Sequence, residues 1–312
     1  MSAKRSVSYM TFGLEGASRL SDSVAQGSRS EMILVASGSG QVGSAVVTAL
    51  AARRIPVRAL SRKKQNAIAG VSWMQGDFAD PSTLAPLLDG VRTVFLSAAT
   101  GPAQVAHECA MIDACRRSGV DRIIKLSGAD AYAHSVSPYR RANGLIETAL
   151  QVSALDFAVI RPTSFIQNLR ADAAEAAANG RIFDPFLGVA LNWTDIRDVA
   201  DVAVALLGFE QLGGMIYELT GPEPLSCGDI ARRLQGLLQR PVVDVPSTDT
   251  ETYHRFCTSG WAEADAHAMV CHYQAVRLKT VPFKSGWIEI LTGNPPRSVD
   301  NYFGEIASLI GR

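Results

Sequence analysis

The sequence predicts an α/β fold, a doubly wound parallel sheet followed by a small C-terminal α+β region. Three observations carry this. Residues 32 to 50 read as a buried strand, a glycine turn and the opening of a helix. Short apolar runs then alternate with helix-length segments as far as residue 162, the pattern of successive βαβ units. The chain has 312 residues, enough for one large domain with a smaller companion.

Residues 1 to 31 are rich in Ser and Gly, show no strand-like or helix-like apolar period, and read as a flexible N-terminal extension. Met32, directly before the first strand, is where a compact protein of this kind would begin. Glu15, Asp22 and Glu31 argue against a transit peptide, and no apolar core supports a secretory signal.

Ile33 to Ala36 form a short apolar run, as expected of a parallel strand covered on both faces. Gly38, Gly40 and Gly43 follow in G-x-G-x-x-G spacing, with Gln41 and Val42 between the last two, before Val46, Val47 and Leu50 recur at helical spacing. In such a turn the first glycine permits a sharp bend, the second lets the backbone approach a pyrophosphate, and the third allows close helix–strand packing. The helix N-terminus meanwhile offers unpaired N–H groups to the phosphate charge.

Pro56 to Leu60 make the second strand, which ends in Ser61-Arg62-Lys63-Lys64 with no acidic residue. An acid there would hold a ribose 2′-hydroxyl, whereas bases suit a 2′-phosphate. NADP(H) is therefore expected over NAD(H), with Arg62, whose guanidinium can grip a phosphate by two bonds, and Lys63 as its ligands. Val71 to Gln75 form a third strand, after which Asp77 is placed to accept from an adenine amino group or to cap a turn, and Phe78 to flank the ring. Val91 to Leu96 lead to the small residues Ser97 and Ala98. Residues 104 to 118 are helical, Val120 to Leu126 form a fifth strand, and a sixth ends at Arg161-Pro162. Residues 32 to 162 are thus expected to be the cofactor-binding domain, and 163 to 312 a mixed region that completes the sheet and forms a substrate lid.

These residues resemble the NmrA-like branch of atypical short-chain dehydrogenases. The likeness rests on the glycine turn at 38 to 43, Val57 to Arg62, Gly76-Asp77, Leu126-Ser127-Gly128, Ile146-Glu147 and Leu155 to Pro162. Asn168, Trp193 to Ala200, Tyr217 to Glu223 and Leu291 to Ser298 extend it to about residue 305. The resemblance implies an NADP-binding Rossmann fold and an oxidoreductase. It implies no single reaction, because the family holds quinone, imine and enone reductases beside redox-sensing regulators without turnover.

Two departures from the family pattern bear on chemistry. Ala36-Ser37 stand where Thr-Gly is usual. The Tyr-x-x-x-Lys pair, in which the lysine lowers the tyrosine pKa and holds the ribose, is replaced by Tyr139 to Asn143. Tyr139 is either a proton donor or an aromatic at a helix start, and Asn143 is expected to hydrogen-bond the nicotinamide ribose. Direct hydride transfer to an electron-poor carbon, with the proton taken from water, is the more economical mechanism. Beyond the sixth strand, Pro162 and Phe165 are expected beside the nicotinamide. Asn168 either reaches the same space or caps the next helix. Trp193 is expected to face the substrate, and Asp195, Arg197 and Asp198 to anchor a helix. Residues 250 to 278 read as helices broken near Gly260, whose aromatics, Tyr273 among them, fit either a flat apolar substrate or a core.

Equal counts of 30 basic and 30 acidic residues leave no global field to draw the chain to nucleic acid or an anionic membrane. A small aromatic or quinone-like partner fits better, and a homodimer is permitted. Five cysteines without framework spacing suit a reducing, cytoplasmic setting. His254, Cys257, His267 and Cys271 approach zinc-finger spacing but fall in the helical lid, so no metal is expected. The leading function is an NADPH-dependent reductase. The alternatives are a non-catalytic NADP(H) sensor that binds a protein partner, and a non-redox enzyme that retains its nucleotide.

Overall fold

The computed structural model describes residues 32–278 and 283–310. The expected extension, residues 1 to 31, lies outside them. The central sheet holds seven parallel strands: β1 (Met32–Val35), β2 (Val57–Ser61), β3 (Val71–Gln75), β4 (Val91–Leu96), β5 (Arg122–Leu126), β6 (Asp156–Pro162) and β9 (Met215–Leu219). Their order is β3-β2-β1-β4-β5-β6-β9, so the direction of winding reverses between β1 and β4. In such sheets a crevice opens at that point, beyond the carboxyl ends of the strands.

The alternation along β1 explains its unbroken apolar run. Ile33 and Val35 face a core built with α1 (Gln41–Ala52) and α6 (Ile196–Leu207). Leu34 faces the opposite core, under α2 (Leu84–Leu87), α3 (Gln104–Ser118) and α4 (Pro138–Gln151). With both faces covered, no position on the strand can be polar.

A third core underlies the small lobe. It joins α5 (Leu169–Asn179), α7 (Cys227–Leu238), α9 (Glu263–Arg277) and α11 (Val299–Ile310) to the short strands β7 (Arg181–Asp184), β8 (Leu191–Asn192) and β10 (Pro224–Leu225). Strand β11 (Val243–Pro246) runs parallel to β7. Helix α8 (Asp249–Thr258) precedes α9, and α10 (Trp287–Thr292) packs back on the sheet. No helix among the described residues is long and apolar enough to cross a membrane.

The fifth strand starts two residues later than expected because the Val120 N–H closes the end of α3 on Cys115 O at 3.1 Å. Helix α5 ends at Gly180, whose φ of 66° is left-handed. Helix α7 begins at Cys227, with Asp229 as the third residue of a capping box with Ser226. Strand β9 completes the sheet from the C-terminal region, as expected, whereas the short β7, β8 and β10 outside it were not anticipated.

Space rather than backbone torsion demands two of the three motif glycines, as none of Gly38, Gly40 and Gly43 has positive φ. A Cβ on Gly43 would stand 1.8 Å from Ser37 O, and one on Gly38 would stand 2.8 Å from Ala59 Cβ. The first glycine therefore serves close packing on β2, not the sharp bend expected of it. Ser37, in the place where the family has glycine, also has no positive φ and needs no special torsion. Gly43→Ala should lower stability by about 2–3 kcal/mol through overpacking, measured by urea unfolding.

Candidate active site

At one end of the crevice the chain turns from β1 into α1. The Gly38 N–H donates to Leu60 O at 2.9 Å and the Gly40 N–H to Ser37 O at 3.0 Å. Gly40 caps the helix with no side-chain hydrogen bond, which leaves the first N–H groups of α1, those of Gln41, Val42 and Gly43, for an anion. The Val42 side chain itself is buried in the core, so only its backbone can serve a ligand. A Cβ on Gly40 would meet nothing closer than 3.3 Å, and its bare side leaves room for a phosphate.

Ser39 Oγ lies 3.2 Å from Ser61 Oγ, which also accepts the Lys63 N–H at 3.2 Å. These bonds bend the chain after β2 beside the glycine turn, with Arg62 and Lys63 exposed at the strand end. Asp77 accepts the Ala79 N–H at 3.0 Å, a turn role. Phe78 stacks on His107 of α3, ring centroids 6.1 Å apart, and is partly buried against the core. Ser97 is buried at the end of β4, with Ala98 beside it.

From this turn a cleft of about 1390 Å³ runs between the carboxyl ends of β5 and β6 and the small lobe. Gln41, Asn143, Pro162 and Phe165 line it, as do Tyr139, Asn168, Trp193 and Tyr273. The structure thus gathers the expected nicotinamide and substrate residues into one space. Asn168 stands at the N-cap position of α5 without a side-chain cap bond and lines the cleft. Trp193 lines the cleft from within the small lobe's core. It is only 5% exposed, its indole N–H donates to Leu225 O at 3.2 Å, and Phe186 packs edge-on against it. It is a packed wall with a hydrogen-bonded indole, because the small lobe's core closes around it.

Two buried charge networks form the floor. Glu147 on α4 accepts from Ser127 Oγ and from Arg161 Nε at 3.0 Å, tying the helix to β5 and β6. Arg161 continues to Ala131 O at 3.3 Å and Glu218 at 3.5 Å. The hydrogen bonds it donates to Glu147 hold the Arg161 guanidinium above the usual range. The second network was not anticipated. Lys125 of β5, wholly buried, pairs with the equally buried Glu108 of α3 at 2.9 Å and donates to Asn143 Oδ1 at 3.2 Å and to Leu126 O. A lysine within Ile123-Ile124-Lys125-Leu126 was the available sequence signal.

Asp195 caps α6 through the Arg197 N–H at 2.8 Å, and Arg197 reaches Glu305 at 2.8 Å. Burial raises the Asp195 carboxyl, but the bonds from Arg197 outweigh it and hold it below the usual range. Asp198 accepts the Arg297 N–H at 2.9 Å. The expected anchoring set is therefore present. His267 and Cys271 share one helix face 3.7 Å apart. Among the described residues no group of three or more His, Cys, Asp or Glu is arranged to hold a metal ion.

The electrostatics of the lid side are set by burial. Burial and the Asp265 carboxylate push the Tyr139 phenol up, which makes it a weaker acid. Burial also raises the Tyr273 phenol and lifts the Asp172 carboxyl to about 6 against the opposing charge of Arg255. Burial and the Arg140 charge push the His272 imidazole, which meets Ser137 Oγ at 3.1 Å, down to about 4.

Two outcomes follow from this geometry. Because His272 is neutral when folded and the unfolded chain binds the proton first, its stabilisation is complete above about pH 6.5 and lost as pH falls toward 4. The loss should approach about 3 kcal/mol at the acid end, and His272→Gln should flatten this part of a denaturation profile. Glu147→Ala, which strands Arg161, should cost about 3 kcal/mol or more in the same assay.

Comparisons with known proteins agree with this geometry. A family model described as NAD(P)H-binding matches residues 38–209. An NAD(P)H azoreductase of Xenophilus azovorans is 31% identical over 291 residues, covering 90% of this chain and 99% of that protein. The NADPH-dependent quinone oxidoreductase QOR2 of Escherichia coli, solved with NADPH, superposes with a TM-score of 0.80 at 19% identity over 88% of this chain and 99% of that one. NmrA, a negative transcriptional regulator, superposes with a TM-score of 0.72 at 17% identity over 90% and 97%. The chain belongs to the NAD(P)H-binding family, and its fold is the Rossmann-type fold of the NmrA-like proteins.

Proposed function

We propose that this chain is a reductase that uses NADPH in preference to NADH and acts on a small flat acceptor, an aromatic, quinone, imine or enone. The observation that carries the reading is the continuity of the cleft. It runs from the uncapped N-terminus of α1 to a chamber walled by Phe165, Phe186, Trp193 and Tyr273.

The bare side of Gly40 and the free N–H groups of α1 fit a pyrophosphate, and Arg62 and Lys63 fit a 2′-phosphate. When bound, the coenzyme supplies a hydride. Asn143 and Pro162 hold its reactive end from the floor, and the aromatic walls orient a planar acceptor and exclude water. Reduction by two electrons needs one proton besides the hydride. Tyr139 is a poor donor, its phenol pushed above the ordinary value and no lysine four residues on. The proton therefore comes from water, and acceptors that are already electron-poor are favoured. Positioning supplies most of the rate.

The kinship with an azoreductase and the fold shared with a quinone oxidoreductase support this reading. The missing lysine and the fold shared with NmrA favour one other, a sensor that binds NADP(H) without turnover. Fluorescence titration should show NADPH binding at least tenfold tighter than NADH. Arg62→Ala should lose about that factor for NADPH alone, as expected of a bond to a charged group. Oxidation of bound NADPH by menadione or an aromatic azo compound is expected. Tight binding with no oxidation by either would establish the sensor instead.

A further inference from the structure

The buried Lys125 is poorly explained by stability. A lysine and a glutamate taken fully out of water lose hydration that their attraction hardly repays, and apolar residues of like volume commonly do as well. What the pair does have is a third member at the cleft. Asn143 Oδ1 takes the Lys125 ammonium at 3.2 Å and Gln104 Nε2 at 3.4 Å.

A cation can only donate, so the amide oxygen must point inward. The amide nitrogen then points the other way. It donates one hydrogen to Tyr139 O at 3.2 Å and lies 3.7 Å from where a Cβ on Gly128 would stand. Its second hydrogen has no partner among the described residues. Gly128, which has no side chain to cover the amide nitrogen, and Asn143 both line the cleft.

We propose that Lys125 is a positioning residue for coenzyme binding: it fixes the flip of the Asn143 amide so that an N–H, and not a carbonyl oxygen, faces the cleft to donate to an oxygen of the bound coenzyme. This rests on the NADPH reading above. Without the cation the amide can turn over, and an acceptor is then offered to an acceptor. Glu108 serves to keep the ammonium from being an isolated buried charge, and Gln104 reinforces the same orientation from α3.

The test is a cycle of NADPH dissociation constants read by fluorescence, with thermal unfolding of each variant as control. Asn143→Ala is expected to weaken binding about tenfold, the worth of one bond to a ligand. The paired variant Lys125→Met with Glu108→Leu, which leaves no orphaned charge, is expected to weaken it by a similar factor. All three changes together should be no worse than Asn143→Ala, because Lys125 acts only through that amide. Independent losses that multiply, or wild-type affinity in the paired variant, overturn the proposal. Should the paired variant not fold, Asn143→Asp decides, since it keeps the oxygen for Lys125 but lacks the N–H. It should bind as poorly as Asn143→Ala, and wild-type affinity would refute the role. A wild-type chain that binds neither NADPH nor NADH would instead remove the reductase reading itself.

Discussion

No side chain can stand at position 43, and much of the molecule depends on that. The carbonyl of Ser37 occupies the space where a Cβ would be, so α1 starts in van der Waals contact with the turn that precedes it. That contact brings the helix N-terminus to the carboxyl end of β1, at the reversal point of the sheet. The unpaired N–H groups of the helix are then aimed into the crevice instead of at bulk water, where they would be of no use to a ligand. Gly38 makes the same demand against β2, and so fixes where Arg62 and Lys63 emerge relative to the turn.

Once the turn is placed, the floor of the cleft is held by charges that water cannot reach. Glu147 and Arg161 lock α4 across β5 and β6, and Lys125 with Glu108 locks α3 to β5. Such pairs are weak contributors to net stability but severe when broken, so they define geometry more than they supply energy. The two networks lie on adjacent strands and reach the cleft through Ser127 and Asn143 respectively. The wall they support is therefore polar and rigid, whereas the wall contributed by the small lobe is aromatic.

That division is what the proposed reductase would use: one side presents polar groups, and the other presents Phe165, Trp193 and Tyr273. The buried lid keeps His272 neutral and both Tyr139 and Tyr273 protonated around neutral pH, so the aromatic side carries little charge of its own. The partly buried Asp172 and the exposed Arg255 are the exception, opposite charges that line the same space.

The sequence by itself determined the layered parallel sheet, the glycine turn and membership of an NAD(P)H-binding family. These depend on short-range facts, a strand buried on both faces and a fixed glycine spacing, which a local reading carries. It also placed Tyr139, Asn143, Pro162 and Phe165 near one another and left Asn168 and Tyr273 open, and the fold brings all six to one cleft. Tertiary structure alone decided the rest. Lys125 meets Glu108 and Asn143 across gaps of 17 and 18 residues, between elements whose contact no local pattern records. Trp193 became a wall because Phe186 and Leu225 close over it, and the short strands β7, β8 and β10 exist because partners far along the chain pair with them. Burial of a charge or a ring is a property of everything packed around it, so it is settled only when the whole chain is in place.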